Sequence, residues 1–448
     1  SYSRPNKKNF TTKLFYHFNI RMLSPSAEVS LLNANIPDDA IVGDKPWTSK
    51  HIVDMLCPPL EVSGNPVQCY PVAGYPLGIT ASWEPTQEGS GDPSPDNIRP
   101  IKGRDSVVVT RCGQNLVQPI FYSAPYDVEV GGLIDVHRME KVSDDAITVS
   151  EYTYTNSGGS WSSPMSMIVT IHGNSKYTIS GNVSGDGFRA GWYVLDKDGV
   201  VTQRSENWTS VPPIQITTSS TDAYLIWYIN TIGESVSIDR PMIVLGDVVP
   251  TEYVPYTGNT VTLTLPETIY GGSVDAASGS GERAWRMVAL DGTENWLTWG
   301  VNVNNAAVTG FFTYDIVDYK VENTKGICSH LPHQNRDVWG GRNEGIGFAS
   351  TGNSRYVMCC VKTKVLDDVS SDAIAITSWK AYLAAQYAAG TPFQIAYELA
   401  DPVSFEADEA ETLPGLQGIN TVLTDADSVA VTGREDLLHV LSSIQSSE

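Results

Sequence analysis

Gly191-Trp-Tyr-Val-Leu-Asp-Lys-Asp-Gly-Val-Val-Thr202 is the stretch on which the fold turns. Two runs of aromatic and β-branched residues flank Asp196-Lys-Asp-Gly199, and the Asp198-Gly199 pair supplies the φ > 0 positions that a tight hairpin turn needs. On such a strand neighbours part: with Trp192 and Val194 facing a core, Tyr193 and Leu195 face away. Outward from this hairpin, short apolar runs recur at 167–171, 176–181, 214–217, 224–229 and 235–244, with turn residues between them. Strands at this close, regular spacing predict an antiparallel β-sandwich over residues 146–256.

The flanking chain is also β-prone, so the expected fold class is mainly β and multi-domain. Residues 1–60 read as an arm followed by a short helix, in which Thr48 or Ser49 caps Ile52, Met55 and Leu56 before Pro58-Pro59 stops it. Residues 61–145 read as a small β segment around a rigid connector, Gly89-Ser-Gly-Asp-Pro-Ser-Pro-Asp-Asn-Ile-Arg-Pro-Ile-Lys-Gly103, too rich in proline for a helix or a central strand. Residues 257–431 read as a β-rich domain with one helix over 379–389, capped by Ser378 and stopped at Gly390. In 432–448, Thr432-Gly-Arg-Glu435 has capping-box spacing before Leu437, Leu438, Leu441 and Ile444, which predicts a short amphipathic helix. Its apolar stripe packs either on its own domain or in a small oligomeric bundle.

The 448 residues carry a formal charge of −22. That argues against a nucleic-acid binder, which needs clustered Lys and Arg to neutralise phosphate. Residues 1–27 invert the trend: Arg4, Lys7, Lys8, Lys13 and Arg21 face no acid. A basic arm on an acidic protein suits docking on an acidic neighbour, and it equally suits a solvated tail. No apolar run approaches the ~18–20 residues of a membrane span. The six cysteines lack Cys-x-x-Cys spacing, so free buried thiols and no metal are expected. His330 and His333 in Cys328-Ser-His-Leu-Pro-His333, with Asp337 nearby, read as a loop with solvent-facing histidines ahead of a metal site. Asp186, Asp196 and Asp198 read as turn chemistry ahead of calcium ligands. Gly340-Gly-Arg-Asn-Glu-Gly-Ile-Gly347 lacks the strand-to-helix setting of a phosphate loop. No catalytic motif is found, so neither an enzyme nor a cofactor is expected.

Several phrases carry a resemblance. Val42-Gly-Asp-Lys-Pro-Trp47, Cys69-Tyr-Pro-Val-Ala-Gly-Tyr-Pro-Leu77 and Asp92-Pro-Ser-Pro-Asp-Asn-Ile-Arg-Pro-Ile101 resemble segments of structural proteins of tailed bacteriophages and prophages. So do Leu265-Pro-Glu-Thr-Ile-Tyr-Gly-Gly272, Ala289-Leu-Asp-Gly-Thr-Glu-Asn-Trp296 and Gly390-Thr-Pro-Phe-Gln-Ile-Ala-Tyr-Glu-Leu-Ala-Asp-Pro402. The matching phrases keep a shared order along most of the chain. In layout, residues 146–256 further resemble the jelly-roll modules of carbohydrate-binding proteins.

The resemblance implies a virion subunit assembled in the bacterial cytoplasm, of tail-fibre, baseplate or head-fibre type. It would be a homo-oligomer, most plausibly a trimer, with other phage capsid or tail proteins as partners. The arm (Arg4, Lys7, Lys8, Lys13) and Trp47 would attach it, and the β domains would touch host-surface glycan. Within the sandwich the aromatics are Trp161, Trp192, Tyr193, Trp208, Tyr224, Trp227 and Tyr228. Sugars stack on exposed rings, and the chosen contacts are the loop residues Trp161 and Trp208 together with Tyr193 and Tyr228. The rival readings are a purely architectural subunit without a ligand and a polysaccharide depolymerase.

Overall fold

The computed structural model describes residues 57–118, 120–123, 127–142, 147–149, 153–156, 165–207, 209–230, 236–300, 308–320, 325–333, 344–351 and 354–439. The arm residues Arg4, Lys7, Lys8 and Lys13, Trp47, the loop tryptophans Trp161 and Trp208, Asp337 and the predicted helix residues Ile52, Met55 and Leu56 lie outside the described residues. The chain is mainly β, as its composition implies, and every named strand pairing is antiparallel.

All six strands expected around the central hairpin form, at Met165–Thr170, Lys176–Gly185, Arg189–Asp196, Ile214–Thr217, Asp222–Asn230 and Val236–Leu245. With Thr153–Asn156 and Val201–Arg204 they make eight strands in two sheets. Taken one to eight in chain order, the sheets run 1-8-3-6 and 2-7-4-5, the double Greek key of a jelly roll. The strands Tyr122–Ser123 and Ile147–Val149 extend one edge of each sheet. Alternation places Met167, Trp227, Ile179 and Ile243 between the sheets.

The hairpin turn differs in one detail from its expectation. Gly199 alone takes positive φ, at +81°. The Asp196 carboxylate accepts the amides of Asp198 and Val200, both at 2.9 Å, and so holds the turn without a second left-handed residue. Gly199 is further required because a Cβ there would sit 2.3 Å from the Ile134 carbonyl. That contact belongs to a segment at 127–139 that crosses the outer face of this sheet, its Ile134 amide donating to the Gly199 carbonyl at 2.8 Å.

The jelly roll leaves and rejoins a second sandwich at one place. Cys112 and Gly258 are register partners on adjacent strands, Arg104–Cys112 and Gly258–Ile269, and the Gly113 amide donates to the Thr257 carbonyl at 2.8 Å. This sandwich packs a seven-stranded sheet on a four-stranded one. It draws strands from both flanks of the insertion: Pro59–Gly64 pairs Ser428–Arg434, and Val67–Cys69 pairs Asn420–Thr424. Leu60, Ile79, Val109, Leu263, Val422 and Val431 fill its core. Segments expected at 61–145 and 257–431 therefore share both of its sheets. Thr432 and Gly433, read from sequence as a helix start, belong to the Ser428–Arg434 strand. The helical turn begins only at Leu437, after Asp436 accepts the Leu438 amide at 2.8 Å.

Two long strands, Ser280–Leu290 and Phe393–Glu406, reach beyond this sandwich. Their register slips between Arg283 and Trp285, where the partner chain runs through Asp401-Pro402; proline cannot serve a regular ladder. Past the slip, Leu290, Phe393, Ile395 and Tyr397 turn to a third core. That core is covered by the helix Asp372–Ala388 and by a four-stranded sheet ordered Trp296–Gly300, Val308–Thr313, Ser354–Lys362, Gly345–Thr351. The helix starts earlier than its sequence reading. Ser371, not Ser378, is the N-cap, accepting the Ile374 amide, because the Ala375, Trp379, Leu383 stripe extends one turn further back than the aromatic residues alone suggest. Gly390 ends it at φ +78°, as expected for a C′ residue.

Candidate functional site

The sandwich tyrosines chosen as glycan contacts are not at the surface. Tyr193 and Tyr228 do point away from the jelly-roll core, as strand alternation requires, and they stack on each other with ring centroids 5.1 Å apart. The 127–139 segment roofs them with Ile134, Val128 and Val136, and they keep only 1% and 2% of their surface exposed. No sugar can stack on a covered ring, so these two residues are a second, small core. Trp227 lies in the main core and Trp192 packs partly against it.

The histidine loop also differs from its reading. His330 is 0% exposed, stacked on Phe393 at 4.9 Å, with its Nδ1 2.7 Å from the Ser329 hydroxyl. Burial pushes its imidazole down to about 4. His333 is exposed. Among the described residues no group of three or more His, Cys, Asp or Glu side chains could hold a metal ion. Gly345 and Gly347, from the glycine-rich phrase, lie in a strand.

The geometry favours a different surface, the outer face of the four-stranded sheet. Trp296 and Trp299 are three apart, so a regular strand sends them to opposite faces. Trp296 enters the third core, edge-on to Trp379. Trp299 follows that alternation to the outer face, beside a register shift between Thr298 and Gly300. There it stacks on Phe312, centroids 4.7 Å apart, and meets Tyr356 edge-on at 5.9 Å. Tyr314 closes the cluster, edge-on to Phe312 at 5.7 Å and to Tyr356 at 5.6 Å.

Phe312 and Tyr356 are buried anchors, whereas Trp299 and Tyr314 are 42% and 45% exposed. Offset and edge-on packing suits ring quadrupoles and fixes the two exposed rings in place. Tyr319 stiffens the floor from the other side: its hydroxyl accepts the Tyr356 amide at 2.8 Å and donates to the Ala349 carbonyl. Leu297, the register partner of Phe312, is exposed beside the rings. Asp315 and Asn295 form a polar edge, the Asn295 amide donating to Asp315 at 2.7 Å.

Such a platform offers two aromatic faces bordered by hydrogen-bonding groups. Sequence reasoning passed over it because it weighed only the sandwich aromatics. The available signal was the odd spacing of Trp296 and Trp299, with Phe311-Phe-Thr-Tyr314 on the next strand.

No family model matches the chain, and no curated protein matches it. Solved structures similar to the chain include those of infectious bursal disease virus. The VP2 subviral particle shares 7% identity at a TM-score of 0.14, over 85% of this chain and 82% of that one. The Gt-strain structure shares 7% identity at 0.14, over 84% and 82%. Likeness at that TM-score carries no argument about fold or function.

Proposed function

We propose that this chain is a structural subunit of a tailed-phage or prophage particle that binds host-surface glycan through the Trp299–Tyr314 platform. The phrases shared in order with phage structural proteins support the virion assignment, and the sandwich architecture suits a displayed subunit. The exposed, rigidly seated Trp299 and Tyr314 pair is the observation that carries the adhesion reading, since pyranose C–H faces stack on such rings. The basic 1–27 arm would attach the subunit to the particle, and a homo-oligomer, most simply a trimer, would multiply weak sites by avidity.

The test is binding of the purified protein to host cell-wall polysaccharide and to a glycan array. Trp299→Ala and Tyr314→Ala are each expected to weaken binding about tenfold, the loss of roughly 1.4 kcal/mol of stacking. Unchanged binding in both variants overturns the platform as the adhesive surface. Exposed Leu297 favours a second reading, in which the same patch contacts a neighbouring subunit. Light scattering separates the two: loss of the oligomer in Trp299→Ala supports the subunit contact, and retention of the oligomer with loss of glycan supports adhesion.

A further inference from the structure

A groove of about 410 Å³ runs between the outer face of the four-stranded sheet of the second sandwich and the outer face of the jelly-roll sheet that holds Asp222–Asn230. Val108 and Leu423 form one apolar wall, and Ile168 and the Tyr224 ring form the other. Hydroxyls border both walls, from Thr110 on one strand and Thr170 on the other. His137 closes one end, its Nε2 3.5 Å from the Tyr224 hydroxyl and its ring edge-on to that phenol. Burial, with Asp425 nearby, raises the Tyr224 phenol, which keeps it a neutral donor.

Asp425 is the one carboxylate among the lining residues, and it is already neutralised. Arg104 pairs with it at 3.0 Å and the Val108 amide donates to it at 2.8 Å. The lining holds neither Lys nor Arg. A groove with balanced charge, apolar walls and a hydroxyl border rejects anions and cations alike, because neither finds a free counter-charge. It suits a ligand with an apolar face and a rim of hydroxyls. Its volume falls at the small end of the ~300–1,000 Å³ typical of small-molecule sites.

We infer that this groove is a second binding site, separate from the Trp299 platform, for a neutral saccharide unit of one or two rings. The C–H face of the sugar would lie on Tyr224, Leu423 and Ile168, and its hydroxyls would meet Thr110, Thr170 and His137.

The test is saturation-transfer NMR and calorimetry on the full chain with glucose, galactose, N-acetylglucosamine and lactose, and with glucuronic acid as the anionic comparison. At least one neutral sugar is expected to bind with millimolar affinity. Filling the groove by Leu423→Trp should weaken that binding tenfold or more, while Tyr387→Ala, at an exposed position on the helix, leaves it unchanged. Thr170→Phe, at an exposed strand position, repeats the filling should Leu423→Trp fail to fold, as judged by circular dichroism. No binding by any neutral sugar, glucuronic acid as the sole binder, or binding that survives a folded filling variant overturns the assignment. Loss in Trp299→Ala alone would move the sugar to the platform and leave the groove empty. Because Trp299→Ala and Tyr314→Ala read the platform and Leu423→Trp reads the groove, either site can fail without the other.

Discussion

At the residue scale, two of the loop phrases quoted from the sequence turn out to be joints. In the proline-rich connector, Arg99 donates to the carbonyls of Glu88 at 2.8 Å, Gly89 at 3.0 Å and Gly91 at 2.5 Å. Asn97 donates to those of Ser90 at 3.1 Å and Asp92 at 3.0 Å. Two side chains thus satisfy carbonyls that the short Ser94–Asn97 bridge and the Ile101–Lys102 pairing leave open. In Asp291-Gly-Thr-Glu294, Glu294 accepts the amides of Asp291 and Gly292 and the Trp296 indole N–H, all at 3.1 Å. His330 yields a prediction at this scale. Its imidazole titrates near 6.5 when unfolded and at about 4 in the fold, so between those values only the unfolded chain takes up the proton. Stability should be unaffected by this group above about pH 6.5, fall as pH drops toward 4, and level off below, by at most about 3 kcal/mol. Urea midpoints at pH 7, 5.5 and 4.5 check it: His330→Gln should show a shallower acid slope, and parallel slopes would exclude the effect.

At the element scale, the helix and the Asp291-Gly292 turn are pressed together. Gly292 has φ +87°, and a Cβ on it would lie 2.3 Å from the Lys380 carbonyl. Gly390 at the helix end also has positive φ, yet nothing lies within 4 Å of its Cβ position. Gly390→Ala should therefore cost about 1 kcal/mol, a backbone term only. Gly292→Ala should cost at least about twice that, because the helix must shift as well; thermal melts of both variants decide the order. The jelly-roll strands were legible because each is short, apolar and bounded by turn residues, and their periodicity is local. The platform was less legible. Its members come from three strands: alternation gives Trp299 its direction, but which rings it meets depends on pairing with distant strands, which leaves no mark in its own segment. The roof over Tyr193 and Tyr228 was hidden for the same reason: alternation told which way they point, not what lies above them.

At the scale of the whole molecule, the second sandwich is closed by the last strands of the described chain. Ser428–Arg434 lies between Pro59–Gly64 and Gly78–Trp83, and Asn420–Thr424 between Arg104–Cys112 and Val67–Cys69. The sequence reading placed β segments at 61–145 and 257–431 but not their pairing, since strands such as Pro59–Gly64 and Val67–Cys69 have partners more than three hundred residues away. The thiols report on this closure. Cys69, Cys112, Cys328, Cys359 and Cys360 are buried, and Cys57 is half-buried. Burial raises each of them, Cys69 and Cys360 to about 11 and Cys112 and Cys328 to about 12. Thiolate is the reactive form, so a disulfide reagent at pH 8 should modify at most Cys57 in the native protein and all six cysteines after denaturation. Rapid reaction of Cys69 or Cys112 in the native protein would mean that the sandwich opens.

The entry and exit of the jelly roll lie side by side, joined by the Gly113–Thr257 hydrogen bond at 2.8 Å. To the carrier sandwich, the more than one hundred residues between those two points are no longer than a hairpin. Recombination at this seam could exchange one passenger module for another while leaving the carrier's strand order unchanged, so descendants could acquire new outward-facing surfaces in one genetic step.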